Sequence, residues 1–372
     1  MPALATALSR RAVSAQGGLV FAVCLLLAGC AAAAPTAVTV ACAADPPLAG
    51  AAWEVLHDSA HATLHGALFS TWGAAADDVW AVGATATDKA DFGPQVLHWD
   101  GNAWTRFKSG ATGELWWVTP GQAAGSLWLV GSSGQIVRRG ADGTFVVTQA
   151  PDKTQLFGIH AVTDSDVYAV GGPGSCPGTG PCGVIWHYDG AAWTAAAGVT
   201  DAQNSAASWF KVWGNGQDLW VVGSGGHILR RHDGSWTDEP SGVTDPIFTV
   251  SGNASLAIAV GGFGAGVLLE NSGSGWNAGT IVGTPPALNG VSVSSNGNAV
   301  AVGFNGAVWR RCGGVWGADG AASGTILDDL HGVWKGESGD VYAVGGQISA
   351  PPYAFGSMVH FGATTEDATV RP

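Results

Sequence analysis

One set of residues in this chain has the spacing of metal ligands. His57, His61 and His65 recur every four residues, which on a helix would place three imidazoles on one face. The segments on both sides are typical of β-strands, so a helix is not expected there and a polar connecting loop is the favoured interpretation. We predict no metal site and no cofactor.

Paired carboxylates are a second chemistry to consider, because glycosidases place two of them across a sugar. Only Glu114 and Glu337 fall close to strands that could face a central site, and they are far apart in the chain. Neither a Gly-x-Ser-x-Gly elbow nor a His-Glu-x-x-His helix occurs. The sequence therefore shows no catalytic constellation, and we lean towards a protein that is not an enzyme.

Cysteines suggest cross-links rather than catalysis. The stretch Cys176-Pro-Gly-Thr-Gly-Pro-Cys182 is a loop that a disulfide could close, adding roughly 2 kcal/mol on the chain-entropy model. A zinc site would need two further ligands, which no nearby Cys or His pair supplies. Cys42 and Cys312 are then left over. A bridge between them would hold the N-terminal segment against the fold, and the sequence alone leaves this pairing open.

The composition limits which elements can carry these residues. Of 372 residues, 58 are Gly and 18 are Trp, while 47% are hydrophobic and only 12% are charged. This excludes coiled coils and helical bundles, which need long charged helix-forming runs, and it excludes a disordered chain. The net charge of −13 would repel phosphate backbones, so we expect no nucleic-acid partner.

An apolar tetrapeptide ending in Val-Gly recurs seven times, at intervals of about 45 residues, the length of a four-stranded propeller blade. The copies are Trp80-Ala81-Val82-Gly83, Trp128-Leu129-Val130-Gly131, Tyr168-Ala169-Val170-Gly171, Trp220-Val221-Val222-Gly223, Ile258-Ala259-Val260-Gly261, Val300-Ala301-Val302-Gly303 and Tyr342-Ala343-Val344-Gly345. A strand precedes each copy and further strands follow it. The pattern predicts an all-β, seven-bladed β-propeller of four-stranded antiparallel blades.

The last copy lacks a fourth strand, because only a short polar tail, residues 363–372, follows its third strand. The segment Ala51–Val55, before the first copy, matches fourth strands elsewhere in the chain. We therefore predict that this N-terminal strand completes blade seven and closes the ring, which leaves no unpaired break. The propeller would span residues 50–362, and we expect a monomer.

The hairpin Asp100-Gly101-Asn102-Ala103-Trp104 and its counterparts resemble the Asp-box (BNR) repeats and related WD40-like and YVTN-like propellers of secreted bacterial proteins. The resemblance covers residues 50–362, although Asp and Gly are adjacent here instead of separated. The resemblance implies the propeller fold. Similarity to the sialidases of this group would imply an active site with an arginine cluster and a tyrosine nucleophile. The paired arginines of this chain lie on third strands, however, where we expect a solvated outer surface. They are Arg138-Arg139, Arg230-Arg231 and Arg310-Arg311.

Five residues on inner strands could face the central channel. Trp72, Trp213 and Trp334 occupy the same position of their strands and could form an aromatic floor for a sugar. Because this position repeats with the fold, packing between blades is favoured. His160 and His331 are likewise expected to be packed and hydrogen-bonded.

The N-terminus has the features of an export signal. Arg10 and Arg11 precede the apolar run Leu19–Leu27, which is too short to span a membrane. The run ends in Leu27-Ala28-Gly29-Cys30, which resembles the bacterial lipobox, in which the cysteine is lipidated after cleavage. We therefore expect a signal peptide at residues 1–29 and a lipidated, Ala/Pro/Thr-rich tether at 30–49. The residue after Cys30 is Ala31 and not Asp, which resembles the pattern of outer-membrane lipoproteins in Gram-negative bacteria.

Long loops that interrupt the repeat are the best candidates for binding. Those of the first and last copies would lie side by side in a closed ring. They carry Lys89, Asp91, Phe92, Tyr353 and Phe355. We expect a lipid-anchored, non-enzymatic binding or scaffold module of the bacterial envelope with a protein or glycan ligand. The alternatives are an Asp-box-type hydrolase or lectin, and an envelope or pilus assembly factor.

The lipid anchor can be tested directly. With labelled palmitate in the bacterial host, we expect Cys30→Ala to lose the label, because the acylated thiol is gone. Cys24→Ala, which lies inside the predicted signal peptide, should keep it. Equal labelling of Cys30→Ala and the wild-type protein would refute the anchor.

Overall fold

The structure, a computed structural model, describes residues 48, 50–60, 64–174, 182–363 and 367–372. These residues form seven sheets, each with four antiparallel strands, and two of the sheets carry an additional parallel strand. Each innermost strand contacts that of the next sheet, and the last contacts the first. The predicted seven-bladed β-propeller is confirmed.

In chain order, strand β1 (Ala52–His57) belongs to blade 7. Blade 1 contains β2 (Leu68–Ala75), β3 (Asp78–Thr85), β4 (Pro94–Trp99) and β5 (Trp104–Arg106), and blade 2 contains β6 (Leu115–Pro120), β7 (Leu127–Gly131), β8 (Gln135–Arg139) and β9 (Phe145–Gln149). Blade 3 contains β10 (Leu156–Thr163), β11 (Asp166–Gly171), β12 (Val184–Tyr188) and β13 (Trp193–Ala195), and blade 4 contains β14 (Trp209–Gly214), β15 (Asp218–Gly223), β16 (Ile228–His232) and β17 (Ser235–Glu239). They continue with β18 (Ile247–Gly252), β19 (Ala257–Gly261), β20 (Val267–Asn271) and β21 (Asn277–Ala278) of blade 5; β22 (Thr280–Val282), β23 (Leu288–Val293), β24 (Ala299–Gly303), β25 (Val308–Cys312) and β26 (Val315–Ala318) of blade 6; β27 (Leu330–Lys335), β28 (Val341–Gly346) and β29 (Gly356–Gly362) of blade 7; and β30 (Val370–Arg371). Helical segments are α1 (Asp201–Ala206) and the 3₁₀ turns Ala90–Phe92, Ser132–Gly134, Ser224–Gly226 and Phe304–Gly306.

The N-terminal strand closes the ring, as predicted. Strand β1 pairs antiparallel with β29, which places Trp53 opposite Phe361. The indole Nε1 of Trp53 also donates a hydrogen bond to Asp319 of blade 6 at 3.0 Å. The first and last blade strands of the propeller are thereby joined within one sheet, and the neighbouring blade is hydrogen-bonded to that sheet.

The C-terminal residues form more than a polar tail. Strand β30 pairs in parallel with β5 and adds a fifth strand to blade 1. Ala368 and Val370 pack against a core cluster that contains Trp104, which is fully buried. Covering the edge of blade 1 in this way keeps its backbone donors and acceptors from water and from other chains. Two apolar residues among polar ones were too weak a signal to predict this strand.

The repeated Val-Gly glycine is required by a close backbone contact. Gly131, Gly223 and Gly303 have extended backbone conformations with φ of −167°, −161° and −165°, which any residue could adopt. A Cβ atom would however lie 1.9–2.4 Å from the carbonyl oxygen of the residue just before the inner strand in every blade. The glycines concerned are Gly83, Gly131, Gly171, Gly223, Gly261, Gly303 and Gly345. No side chain fits at that separation.

This contact accompanies a β-bulge at the start of every inner strand. In blade 1, Leu68 pairs with Gly83 and Ser70 with Val82, so Phe69 has no residue opposite it. The same one-residue shift occurs in the other six blades. A bulge redirects the side chain of the extra residue, so the second residue of each inner strand departs from the alternation of the sheet.

Acidic residues fasten several outer strands to the neighbouring blade. The indole Nε1 of Trp276 donates to Glu239 at 2.8 Å, and that of Trp316 donates to Glu270 at 2.7 Å. Glu270 also binds the Arg311 guanidinium through two hydrogen bonds. The side chains of Arg310 and Arg311 are only 13% exposed and both form ion pairs. For this arginine pair, the prediction of a solvated outer surface was therefore wrong.

The glycine contact predicts a large cost for a small substitution. Gly131→Ala would press Cβ to within 1.9 Å of the Glu114 carbonyl oxygen, so we expect a loss of roughly 3 kcal/mol in unfolding free energy. The matched control is Gly216→Ala, which lies in open space with φ of +92° and should cost only about 1 kcal/mol. Urea denaturation measures both, and equal losses would contradict the steric explanation.

Candidate functional site: the aromatic mouth of the channel

The seven bulges place a set of aromatic side chains around one end of the central channel. The second residues of the inner strands in blades 1–5 are Phe69, Trp116, Phe157, Phe210 and Phe248. Successive ring centroids along this series lie 4.1, 5.4, 5.7 and 5.6 Å apart. Tyr353 packs on Phe69 at 5.1 Å and Phe263 on Phe248 at 5.9 Å, so both extend the series. We call these seven residues the aromatic arc.

Much of the aromatic arc is accessible to solvent. Phe69 is fully buried, whereas Phe263 is 73% exposed, which is exceptional for such a side chain. The remaining members are half-buried. Stacked, tilted and edge-to-face contacts between the rings keep them in place, and such aromatic pairs add about 0.5–1.5 kcal/mol each. The arc is thus a preformed apolar surface at the face where the inner strands begin.

Blades 6 and 7 complete the ring with polar residues whose hydrogen bonds are used within the fold. Asn289 donates from Nδ2 to the carbonyl of Leu330 at 2.8 Å, and His331 donates from Nδ1 to the carbonyl of Phe69. Burial, and then the nearby Lys211, lower the pKa of His331 to about 4. His331 is therefore neutral at pH 7, and together with Asn289 it joins blades 6, 7 and 1 around the mouth.

A buried lysine lies directly after one member of the arc. Lys211 is 3% exposed and donates from Nζ to the carbonyl of Phe157 at 3.1 Å. The same Nζ lies 3.1 Å from the ring centroid of Trp117, a cation–π arrangement. Burial lowers the pKa of Lys211 well below its usual range. Lys211 and Trp117 connect blades 4, 3 and 2 beneath the arc.

The other end of the channel is a cavity of about 600 Å³ lined by the later halves of all seven inner strands. Trp213 stacks on Trp220 at 5.8 Å and meets Gly252 of the next blade, and Trp334 meets Gly73 in the same way. The predicted packing of these tryptophans between blades is confirmed, although their rings also line the cavity. His160 lines it too, and burial lowers its pKa to about 4.

The two candidate carboxylates lie at opposite ends of the channel. Glu114 precedes β6 on the face that carries the arc and accepts a hydrogen bond from Ser132 Oγ. Glu337 follows β27 at the other end, where it accepts from the backbone and hydroxyl of Ser295 at 2.8 and 2.7 Å. They cannot act across one sugar.

The aspartates that begin the second strands form pairs with third-strand side chains. Asp78 contacts His98 at 2.7 Å, Asp166 contacts His187 at 2.8 Å, and Asp340 contacts His360 at 3.3 Å. Each of these histidines stacks on an aromatic ring of its second strand, with centroids 4.1–4.6 Å apart. Asp218 instead contacts Arg230 and His232. These carboxylates therefore join the second and third strands within a blade. No group of three potential metal ligands occurs in the described ranges.

The structure distributes the predicted loop residues over separate places. Tyr353 belongs to the arc, with φ of +53°, a left-handed conformation that is costly for a tyrosine. Phe355 forms a β-bridge with His65. Lys89 and Phe92 line another cavity, and Asp91 is exposed in the 3₁₀ turn beside them. His57, from the predicted loop triad, is the buried last residue of β1, and His61 lies outside the described residues.

Several predicted sites fall partly or wholly outside the described ranges. Cys30, Cys42 and Cys176 all lie there. Cys182 and Cys312 are buried and both are disulfide-bonded, but their predicted partners are not described, so the two pairings stay predictions. No helix in the described part of the chain is long and apolar enough to cross a membrane.

Fold and mouth together define a seven-bladed propeller with a partly exposed aromatic surface at one end of its channel. No protein-family profile and no curated protein matches the sequence. Among solved structures, YCF48 from Cyanidioschyzon merolae is similar with a TM-score of 0.60 and 15% identity, covering 84% of this chain and 98% of that one. Virginiamycin B lyase from Staphylococcus aureus has a TM-score of 0.61 and 11% identity, with 83% and 98% coverage.

The structure of YCF48 bound to D1 peptide is also similar, with a TM-score of 0.57 and 12% identity, covering 84% of this chain and 97% of that one. At these identities the likeness shows the fold alone. Proteins of similar shape include a lyase and a protein solved with a bound peptide, so the shape does not select between these functions.

The Asp–His pairs predict a pH-dependent contribution to stability. The hydrogen bond from His360 lowers the pKa of Asp340 against the opposing effect of burial. The folded state then favours the ionised carboxylate, so its contribution is present above the unfolded pKa and is lost as the pH falls through the folded one. We expect Asp340→Asn to lower stability by about 1–2 kcal/mol at pH 7.

Thermal melting between pH 7 and pH 3 measures this effect. The difference between the wild-type protein and Asp340→Asn should begin to shrink as the pH falls below the unfolded pKa of about 4, and it should be lost below the lower pKa of the folded state, where the carboxylate is protonated in both states. Asp233→Asn, at a side chain 92% exposed, serves as the control and should melt like the wild-type protein throughout. A difference that stays constant with pH would contradict the assigned role of the charge.

Proposed function

We propose that this protein is a lipid-anchored, non-enzymatic binding module of the bacterial envelope that captures a segment of another protein on the aromatic arc. The observation that carries the proposal is the arc itself, a contiguous apolar surface built from five blades by the same bulge. Exposed apolar surface of this kind is typical of interaction sites, and aromatic anchors dominate the energetics of protein interfaces.

The chemistry of the mouth favours a peptide over a glycan. Sugar recognition needs polar side chains that read hydroxyl groups, whereas the described ring contributes five aromatic residues. Its two polar members, Asn289 and His331, already donate to backbone carbonyls. An apolar or aromatic peptide side chain can bury against the rings without leaving these polar groups unpaired. The peptide-bound neighbour of similar fold is consistent with this choice of ligand class.

The cysteine at position 30 and the preceding apolar run support the envelope location. A lipid at Cys30 would place the propeller beside the membrane, with the tether at 30–49 setting its reach. Ala31, the residue after Cys30, supports a location in the outer membrane, because this pattern resembles that of outer-membrane lipoproteins in Gram-negative bacteria. A role in assembling an envelope or pilus complex is one use of such a peptide site.

Site-directed photo-crosslinking tests the binding proposal in cells. A benzophenone amino acid at position 263 should crosslink one defined segment of a partner, whereas the same probe at Val146, which is 55% exposed on an outer strand, should not. The crosslinked segment is then synthesised and its affinity for the purified protein is measured by calorimetry.

We expect Phe263→Ser and Phe210→Ser each to weaken that peptide by about tenfold, because each removes an aromatic contact worth more than 1 kcal/mol. Val146→Ser should leave it unchanged, and thermal melting confirms that the variants fold. Unchanged affinity in both arc variants would refute the site. A glycan-array signal that Phe210→Ser abolishes would favour the lectin alternative, and hydrolysis of a glycan panel would contradict a non-enzymatic role.

A further inference from the structure

A second cavity lies at the outer rim of blades 7 and 1, on the face that carries the aromatic arc. Its volume is about 430 Å³. Strands β1 and β5 both end at this face, because the four strands of each blade alternate in direction. Strand β30 lies beside β5 and supplies one wall. We call it the basic cavity and define it by Leu56, Asp88, Lys89, Phe92, Arg106 and Arg371.

Positive side chains outnumber negative ones in this lining, although the whole chain carries a net charge of −13. Lys89, Arg106 and Arg371 are cationic and Asp88 is the acidic side chain among the lining residues. His57 also lines the cavity, but burial lowers its pKa, so it adds no charge at pH 7. A cationic recess in an acidic protein favours an anionic occupant.

Arg106 is the strongest indication of a ligand. This residue is 7% exposed, and its Nε atom is buried without a hydrogen-bond partner. The Asp88 carboxylate lies 3.6 Å from Nη1, which is an ion pair but too long for a hydrogen bond. A guanidinium offers five N–H donors in a fixed fork, and leaving even one of them unpaired when buried is costly. An oxyanion in the cavity would give Nε a partner.

The remaining wall is apolar. Leu56, Phe92 and Val370 line the cavity beside the cations. A bare inorganic anion would leave this surface without a partner, whereas a ligand with an alkyl group next to its charge would bury it at about 25 cal/mol per Å². The cavity therefore combines a positively charged part with an apolar wall.

We propose that the basic cavity binds an oxyanion carried on a short apolar group, with the head on Arg106 and Lys89 and the apolar part against Phe92 and Leu56. The guanidinium of Arg106 forms the paired hydrogen bonds that planar forks make with oxyanions, and Lys89 adds a point charge. The inference is independent of the aromatic arc. The same chemistry could come from a detached amphiphile or from an anionic lipid headgroup.

Calorimetry with octyl phosphate, inorganic phosphate and octanol tests the site on the purified protein. Octyl phosphate should bind, and inorganic phosphate and octanol should each bind at least about tenfold more weakly, because each lacks one half of the interaction. Arg106→Gln and Lys89→Gln should weaken octyl phosphate by about tenfold. Arg138→Gln, an exposed arginine of blade 2, should not. Lys89 is itself exposed, so its variant is expected to fold even if Arg106→Gln does not.

Flotation with phosphatidylglycerol and phosphatidylcholine vesicles separates the two sources. Binding to the anionic vesicles that Lys89→Gln reduces would assign the site to a lipid headgroup, and octyl phosphate binding without vesicle binding would assign it to a detached amphiphile. Absence of octyl phosphate binding at millimolar concentration, equal binding of inorganic phosphate, or an unchanged affinity in both cavity variants would overturn the proposal.

Discussion

The contact between the Val-Gly glycine and the carbonyl before each inner strand is the constraint on which the rest of this structure depends. A Cβ atom at any of these seven glycines would lie 1.9–2.4 Å from that carbonyl oxygen. Only glycine therefore lets the two backbones approach this closely. The approach accompanies a one-residue bulge, and the bulge turns the second residue of the strand towards the channel. The repeat that organises the fold thus also builds the aromatic arc.

Charges in this protein are few and are largely committed to structure. Glu239 and Glu270 accept hydrogen bonds from indoles of the next blade, and Asp340 holds a stacked histidine. Such contacts give many carboxylates and histidines of the described strands a structural role. The arginines of blade 6 follow the same rule. Arg106 differs from them, since its carboxylate partner, Asp88, lies 3.6 Å away, too far for a hydrogen bond.

Sequence reasoning recovered the periodic part of the fold. Blade number, strand order and the closing role of Ala52–His57 all follow from residues that recur because they face the same environment in each blade. It also anticipated that Trp213 and Trp334 pack between blades. It missed β30, because a two-residue strand has no period, and it missed the arc. The signal was present, since Phe69, Trp116, Phe157, Phe210 and Phe248 all follow the first residue of an inner strand.

What the sequence by itself determined was the seven-fold repeat and its closure, because each depends on local patterns of a few residues; the lipid anchor stays a prediction. Only the tertiary structure decided which side chains meet. Alternation within a strand cannot reveal a bulge that reverses one residue, and no spacing relates Lys89 to Arg371, which are separated by about three quarters of the chain. The aromatic arc and the basic cavity exist because ring closure and the final strand bring distant segments to one face.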